Sequence, residues 1–140
     1  MRTLAIDYGE RYLGLAITDA LGIIPHALPP IVRSEIEADL SAIENLAKER
    51  EVGEIVLGFP KRMDNSVGPA AAKVAEFAEQ LKKRLGLPVH LVDERLTSAQ
   101  AHRLMAEAGV PTPRKRIKEH GFAAQVILRA FLAQRKADKP

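Results

Sequence analysis

The sequence has no cysteine and no tryptophan, and aromatic residues make up only 4% of its 140 positions. Without cysteine there are no disulfides, no thiolate zinc sites and no cysteine nucleophile, which fits a reducing compartment. So few aromatics argue against a stacking platform of the kind many single-strand binders use. Long hydrophobic runs are missing as well, and the first residues lead into a strand rather than a signal sequence. The expected location is the cytoplasm, with no membrane partner. Nor is there a large excess of one charge: the formal net charge is +3. The basic residues are instead concentrated in Arg114-Lys115-Arg116-Ile117-Lys118 and in Arg135-Lys136. Such a run either steers a polyanion or forms a solvated face.

What is present is an apolar fraction of 46%, enough for the core of one domain but in a chain too short for two ordinary lobes. Residues 1–134 are expected to form that domain, and 135–140 a disordered charged tail.

Leu4-Ala5-Ile6 is an apolar run without polar alternation, which predicts a strand covered on both faces. Asp7 falls where that strand surfaces. A carboxylate there should hold a cation, meet a donor or face solvent; the other reading is a turn aspartate capping its own backbone. Gly9 allows a tight turn or close approach to a phosphate. In the following run Leu13, Leu15 and Ile17 share one face, and the smaller Gly14, Ala16 and Thr18 the other. The economical connection is a hairpin, with helices on both sides and the closer one over the small residues.

Pro25, Pro29 and Pro30 precede or interrupt a third strand near 28–33, which proline confines to an edge. Ser34 and Glu37 have capping-box spacing ahead of a helix with Ile36, Leu40, Ile43 and Ala47 at helical intervals, ending near Arg50. A second buried strand runs over 54–60, parallel to the first. The next helix opens at Ser66, Gly68 and Pro69 and stops at Gly86 and Pro88. The last strand, 89–95, ends in charge; Thr97 and Gln100 then open a helix that Gly109 closes. A basic connector over 110–118 leads to a final amphipathic helix marked by Ala123, Val126, Ile127, Ala130 and Phe131. The predicted class is α/β, a five-stranded mixed sheet between helices.

Two strands thus end in carboxylates, Asp7 on the first and Asp93-Glu94 on the last, and open α/β sheets bind ligands at that edge. Hard divalent ions take such oxygen ligands, and paired ions activate water against a phosphodiester. Asp93 and Glu94 alternate across the strand, so one of them faces the site; Glu94, nearer the open end, is the choice. Glu94 could instead pair with Arg95 or cap the following helix.

The order of Asp7-Tyr8-Gly9 with Arg11 and Gly14, then Gly58-Phe59-Pro60 with Met63-Asp64 and Gly68, then Asp93-Glu94-Arg95-Leu96-Thr97-Ser98, and finally Ala123-Ala124, resembles the YqgF/RuvX family. Its members are also called Holliday-junction-resolvase-like proteins or pre-16S rRNA nucleases. The resemblance implies an RNase H-like fold and a metal-dependent hydrolase that trims the 5′ end of precursor 16S rRNA in ribosome biogenesis. An older family assignment is resolution of four-way DNA junctions. It implies Asp7 and Glu94 as acidic metal ligands. The family's third ligand, an aspartate, falls on His120, which as a neutral, softer donor should favour Mn²⁺ over Mg²⁺. Either His120 is a catalytic ligand, or Glu119 substitutes, or the chain binds nucleic acid and cleaves it poorly. Asn65 replaces a family glycine and can keep the same left-handed turn.

The expected partners are precursor rRNA or branched DNA and ribosomal precursor particles, met by a monomer or homodimer. Arg11, Arg95, Arg114, Lys115, Arg116 and Lys118 are the expected phosphate contacts, giving affinity with little sequence selectivity. An actin-like or sugar-kinase-like phosphate binder would also begin with a strand ending in aspartate and glycine, but needs two lobes to enclose a nucleotide.

Overall fold

The computed structural model describes residues 1–59, 68–93 and 116–138, with 116–120 and 137–138 described by backbone alone. Strands β1 (Arg2–Tyr8), β2 (Tyr12–Thr18) and β3 (Pro25–Val32) come first. Helix α1 (Ile36–Glu49), β4 (Val52–Phe59), α2 (Pro69–Leu85) and β5 (Val89–Asp93) follow, and α3 (Arg116–Asp138) comes last. The strands form one five-stranded sheet in the order β3-β2-β1-β4-β5. β1 is antiparallel to β2 and parallel to β4, and β4 is parallel to β5. This is the mixed sheet the sequence predicts, with β1 at its centre and β3 at an edge.

The alternation of each strand divides two cores. Leu4, Ile6, Leu13, Leu15, Ile17, Ile55 and Leu57 pack with Ile43, Phe77 and Leu81 under α1 and α2. Ala5, Ala16, Val56 and Val92 pack with Ala124, Ile127, Leu128 and Phe131 of α3. The small-residue face of the hairpin therefore does lie under a helix, Ala16 clustering with Ala124 and Leu128 of α3, and α3 comes close to the next strand as well: a Cβ on Gly121 would sit 3.5 Å from that of Ala27. Burial of both faces is what makes the central strands uniformly apolar.

Four boundaries differ from expectation. β3 starts earlier, at Pro25, and tolerates Pro29 and Pro30 because the β2–β3 register shifts there, between Leu13↔Ile31 and Leu15↔Leu28; a bulge excuses the missing N–H groups. The capping box at Ser34 does not form: Glu35 occupies the cap position without a side-chain bond. Asp39 Oδ1 accepts from the Ser34 N–H instead (3.1 Å), and Glu37 accepts from Arg84 of α2 (2.7 Å). α3 begins at Arg116, inside the expected basic connector. It also continues to Asp138 where a disordered tail from 135 was expected, because Arg135 is ion-paired to Glu54. The end of α2 is as expected, with Gly86 in the left-handed region at φ 70°. The expected helix between Thr97 and Gly109 lies outside the described residues. No helix among the described residues is long and apolar enough to cross a membrane.

Candidate active site

Asp7 is half-buried near the end of β1. Its neighbours Ile6 and Tyr8 pack toward α1 and α2, whereas Ala5 packs under α3. Strand alternation therefore puts Asp7 on the α3 face. Its cross-strand partner in β2 is Gly14. On the other side Ile6 is in register with Leu57, so the next residue of β4, Gly58, lies beside Asp7. The carboxylate thus projects from a row whose two flanking positions carry no side chain. Such a floor lets a ligand approach the carboxylate and the sheet backbone closely.

β5 ends one strand further along. Val92 packs under α3, and Asp93 is in register with Phe59, which packs toward α1 and α2. Asp93 therefore stands on the face opposite Asp7. The sequence-based preference for its neighbour follows the same alternation, but Glu94 itself lies outside the described residues, as do Arg95, Arg114 and Lys115. Arg116, Lys118 and His120 belong to the first turns of α3. Gly121, next to His120, lies over Ala27 and Leu28. Leu28 is in register with Leu15 and Leu15 with Ile6, so the backbone at that point reaches the strand-end side of the sheet that carries Asp7. Arg11 is exposed in the short β1–β2 turn at the same edge.

Among the described residues, no group of three or more His, Cys, Asp or Glu side chains could hold a metal ion. Of the expected ligands, only the side chain of Asp7 is described, and it fits the role: a hard oxygen donor at a strand end, flanked in the sheet by Gly14 and Gly58.

Sequence reasoning missed the fastening of this edge. Arg33, at the end of β3, donates from Nε to Asp39 Oδ2 (3.1 Å) and from Nη1 to the Gly9 carbonyl (3.0 Å). Its guanidinium carbon lies 4.4 Å from the centre of the Tyr8 ring. Burial works against the Arg33 charge, but Tyr8 and Asp39 outweigh it and hold the guanidinium pKa above its ordinary value. A signal was available: Asp39 interrupts the apolar stripe of α1 between Ile36 and Ile43, and a charge there needs a partner. Glu54 was missed in the same way. It is buried in β4 against Thr3, His90 and Arg135, at the edge away from Asp7.

The chain is 40% identical over 132 residues to a protein of Halothermothrix orenii provisionally named a pre-16S rRNA nuclease, covering 94% of each chain. A Myxococcus xanthus protein with the same provisional name is 40% identical, with 94% of this chain and 87% of the relative covered. Among solved structures, Thermus thermophilus RuvC in complex with a Holliday junction substrate superposes with a TM-score of 0.62 at 14% identity, over 100% of this chain and 99% of that one. That likeness establishes an RNase H-like fold. The family described as RuvX, Holliday junction resolvase, matches residues 1–134, and with relatives at this identity along nearly the whole length, the chain belongs to it.

Proposed function

We propose that this protein is a divalent-metal-dependent nuclease that hydrolyses phosphodiester bonds of structured nucleic acid, with the 5′ end of precursor 16S rRNA as its substrate. The observation that carries the reading is the placement of Asp7: a strand-end carboxylate on the α3 face, flanked by Gly14 and by Gly58. Family membership supports the reaction class, and the names of the relatives support the RNA.

Asp7 would hold the metal in this reading together with Glu94, since Asp93 stands on the other face. His120, at the start of α3, supplies the third ligand and tilts the preference toward Mn²⁺. A divalent ion held there would activate water and stabilise charge at the phosphate. The protein's own part is positioning. Arg11, exposed in the turn after β1, with Arg95, Arg114, Lys115, Arg116 and Lys118, binds phosphates flanking the scissile bond. The bare floor beside Asp7 admits a backbone without reading bases, which suits a substrate chosen by shape. The protein works in the cytoplasm on ribosomal precursor particles.

The test is cleavage of a labelled 5′-extended rRNA fragment and of a four-way DNA junction, in Mg²⁺ and in Mn²⁺, with Asp7→Asn as control. Asp7-dependent cleavage of the RNA, faster in Mn²⁺, is expected. Preferential cleavage of the junction would assign the activity to DNA, and binding without cleavage would make the chain an assembly factor.

A further inference from the structure

We propose that Arg33 is a positioning residue for the reaction at Asp7: its guanidinium holds the Tyr8 ring and the Gly9 carbonyl, in the Gly9–Glu10 peptide, and thereby the turn that follows the strand end carrying the carboxylate. The inference rests on the function proposed for Asp7.

The chain leaves β1 at Tyr8 and returns as β2 at Tyr12. A turn this short has few bonds of its own; the Gly9 N–H donates to the Tyr12 carbonyl at 3.1 Å. Arg33 reaches it from β3 at three points. Nη1 donates to the Gly9 carbonyl, the guanidinium covers the Tyr8 ring, and the Arg33 N–H donates to the Arg11 carbonyl at 2.8 Å. Asp39 aims the fork. Its side chain is 1% exposed, and its other oxygen is held by the Ser34 N–H, so the carboxylate has little freedom to turn.

Burying this pair is a poor route to stability, since an apolar pair of similar volume does as well or better. What a planar guanidinium adds is direction: donors in a fixed fork, one toward Asp39 and one toward Gly9. Asp7 precedes Tyr8 in the chain and faces the other side of the sheet, so a shift of the Tyr8 ring and of the turn at Gly9 moves the strand end that carries Asp7. A displacement of a reacting group by about 1 Å costs about 100-fold in rate.

The experiment compares the full-length wild type with Arg33→Met and Arg33→Lys. It measures kcat and KM for Mn²⁺-dependent RNA cleavage, hydrogen exchange across residues 7–12 and in α2, and thermal melting. Arg33→Met is expected to lower kcat about 100-fold with KM little changed, and to speed exchange in 7–12 but not in α2. Arg33→Lys keeps the charge without the fork and is expected to recover only part of the rate while melting near wild type. Wild-type kcat and unchanged exchange at 7–12 in both variants would overturn the proposal, as would a lowered melting temperature with normal kcat per folded molecule. If even the wild type shows no Asp7-dependent cleavage, the reading of Asp7 falls, and exchange at 7–12 still decides whether Arg33 fixes the turn.

Discussion

Arg135 of α3 donates from Nη2 to Glu54 Oε1 across 2.6 Å, joining residues 81 apart in sequence. Thr3 Oγ1 donates to the other oxygen at 2.8 Å, and His90 Nε2 lies 3.2 Å from Oε1. The Arg135 guanidinium and the His90 ring both rest on Phe131. This cluster pins the C-terminal end of α3 to the sheet. The other end of the same helix carries His120.

Glu54→Gln is expected to destabilise the protein by about 2 kcal/mol at pH 7, below the usual cost of breaking a fully buried pair because Arg135 remains partly in water. Burial pushes the Glu54 carboxyl up, but the Arg135 and Thr3 hydrogen bonds outweigh it and hold the pKa below the ordinary glutamate value. A depressed carboxyl pKa stabilises the fold above the unfolded-state value of about 4.3, and that contribution is lost as pH falls through the folded value. Urea unfolding from pH 7 to pH 3 should show a shallower acid loss in Glu54→Gln than in wild type.

Two glycine-to-alanine changes should move stability in opposite directions. At Gly86, φ is +70° and a Cβ would meet nothing within 4 Å, so the expected loss of about 1 kcal/mol is backbone strain alone. At Gly121 the new methyl makes an ordinary contact with Ala27 inside a helix, and a gain of about 0.5–1 kcal/mol is expected. Urea midpoints of the two variants check both.

Neutralising Arg114, Lys115 and Arg116 together is expected to weaken RNA binding. The slope of log K against log salt should flatten by about 0.7 for each phosphate that these side chains no longer neutralise. A fluorescence titration over a salt series measures this; an unchanged slope would exclude these residues from phosphate binding.

His120→Asp restores a negative hard-oxygen donor, so the ratio of Mg²⁺ to Mn²⁺ cleavage rates should rise. Equal ratios in the two proteins would mean that His120 is no ligand.

Periodicity made the mixed sheet legible, because the apolar runs at 4–6 and 55–57 require burial on both faces and the intervening helix forces a parallel crossover. Asp7 was legible for the same reason, as a charge ending such a run. Contacts between residues distant in sequence were not. Ser34 and Glu37 have the spacing of a local cap, but Arg33 and Arg84 compete for the surrounding carboxylates from elsewhere in the fold. The basic residues 135–136 read as a solvated tail until Glu54 supplies a buried partner for Arg135. Asp93 is in register with Phe59 on the side away from Asp7, while Glu94 lies outside the described residues.

That difference in face gives the most direct test. Asp7 and Asp93 are both aspartates at the ends of parallel-running strands with β4 between them, yet they stand on opposite sides of the sheet. Cleavage of structured RNA in Mn²⁺ should be lost in Asp7→Asn and retained in Asp93→Asn, with both proteins folded. Retained cleavage in Asp7→Asn, or equal losses in the two variants, would contradict a metal nuclease site on the α3 face.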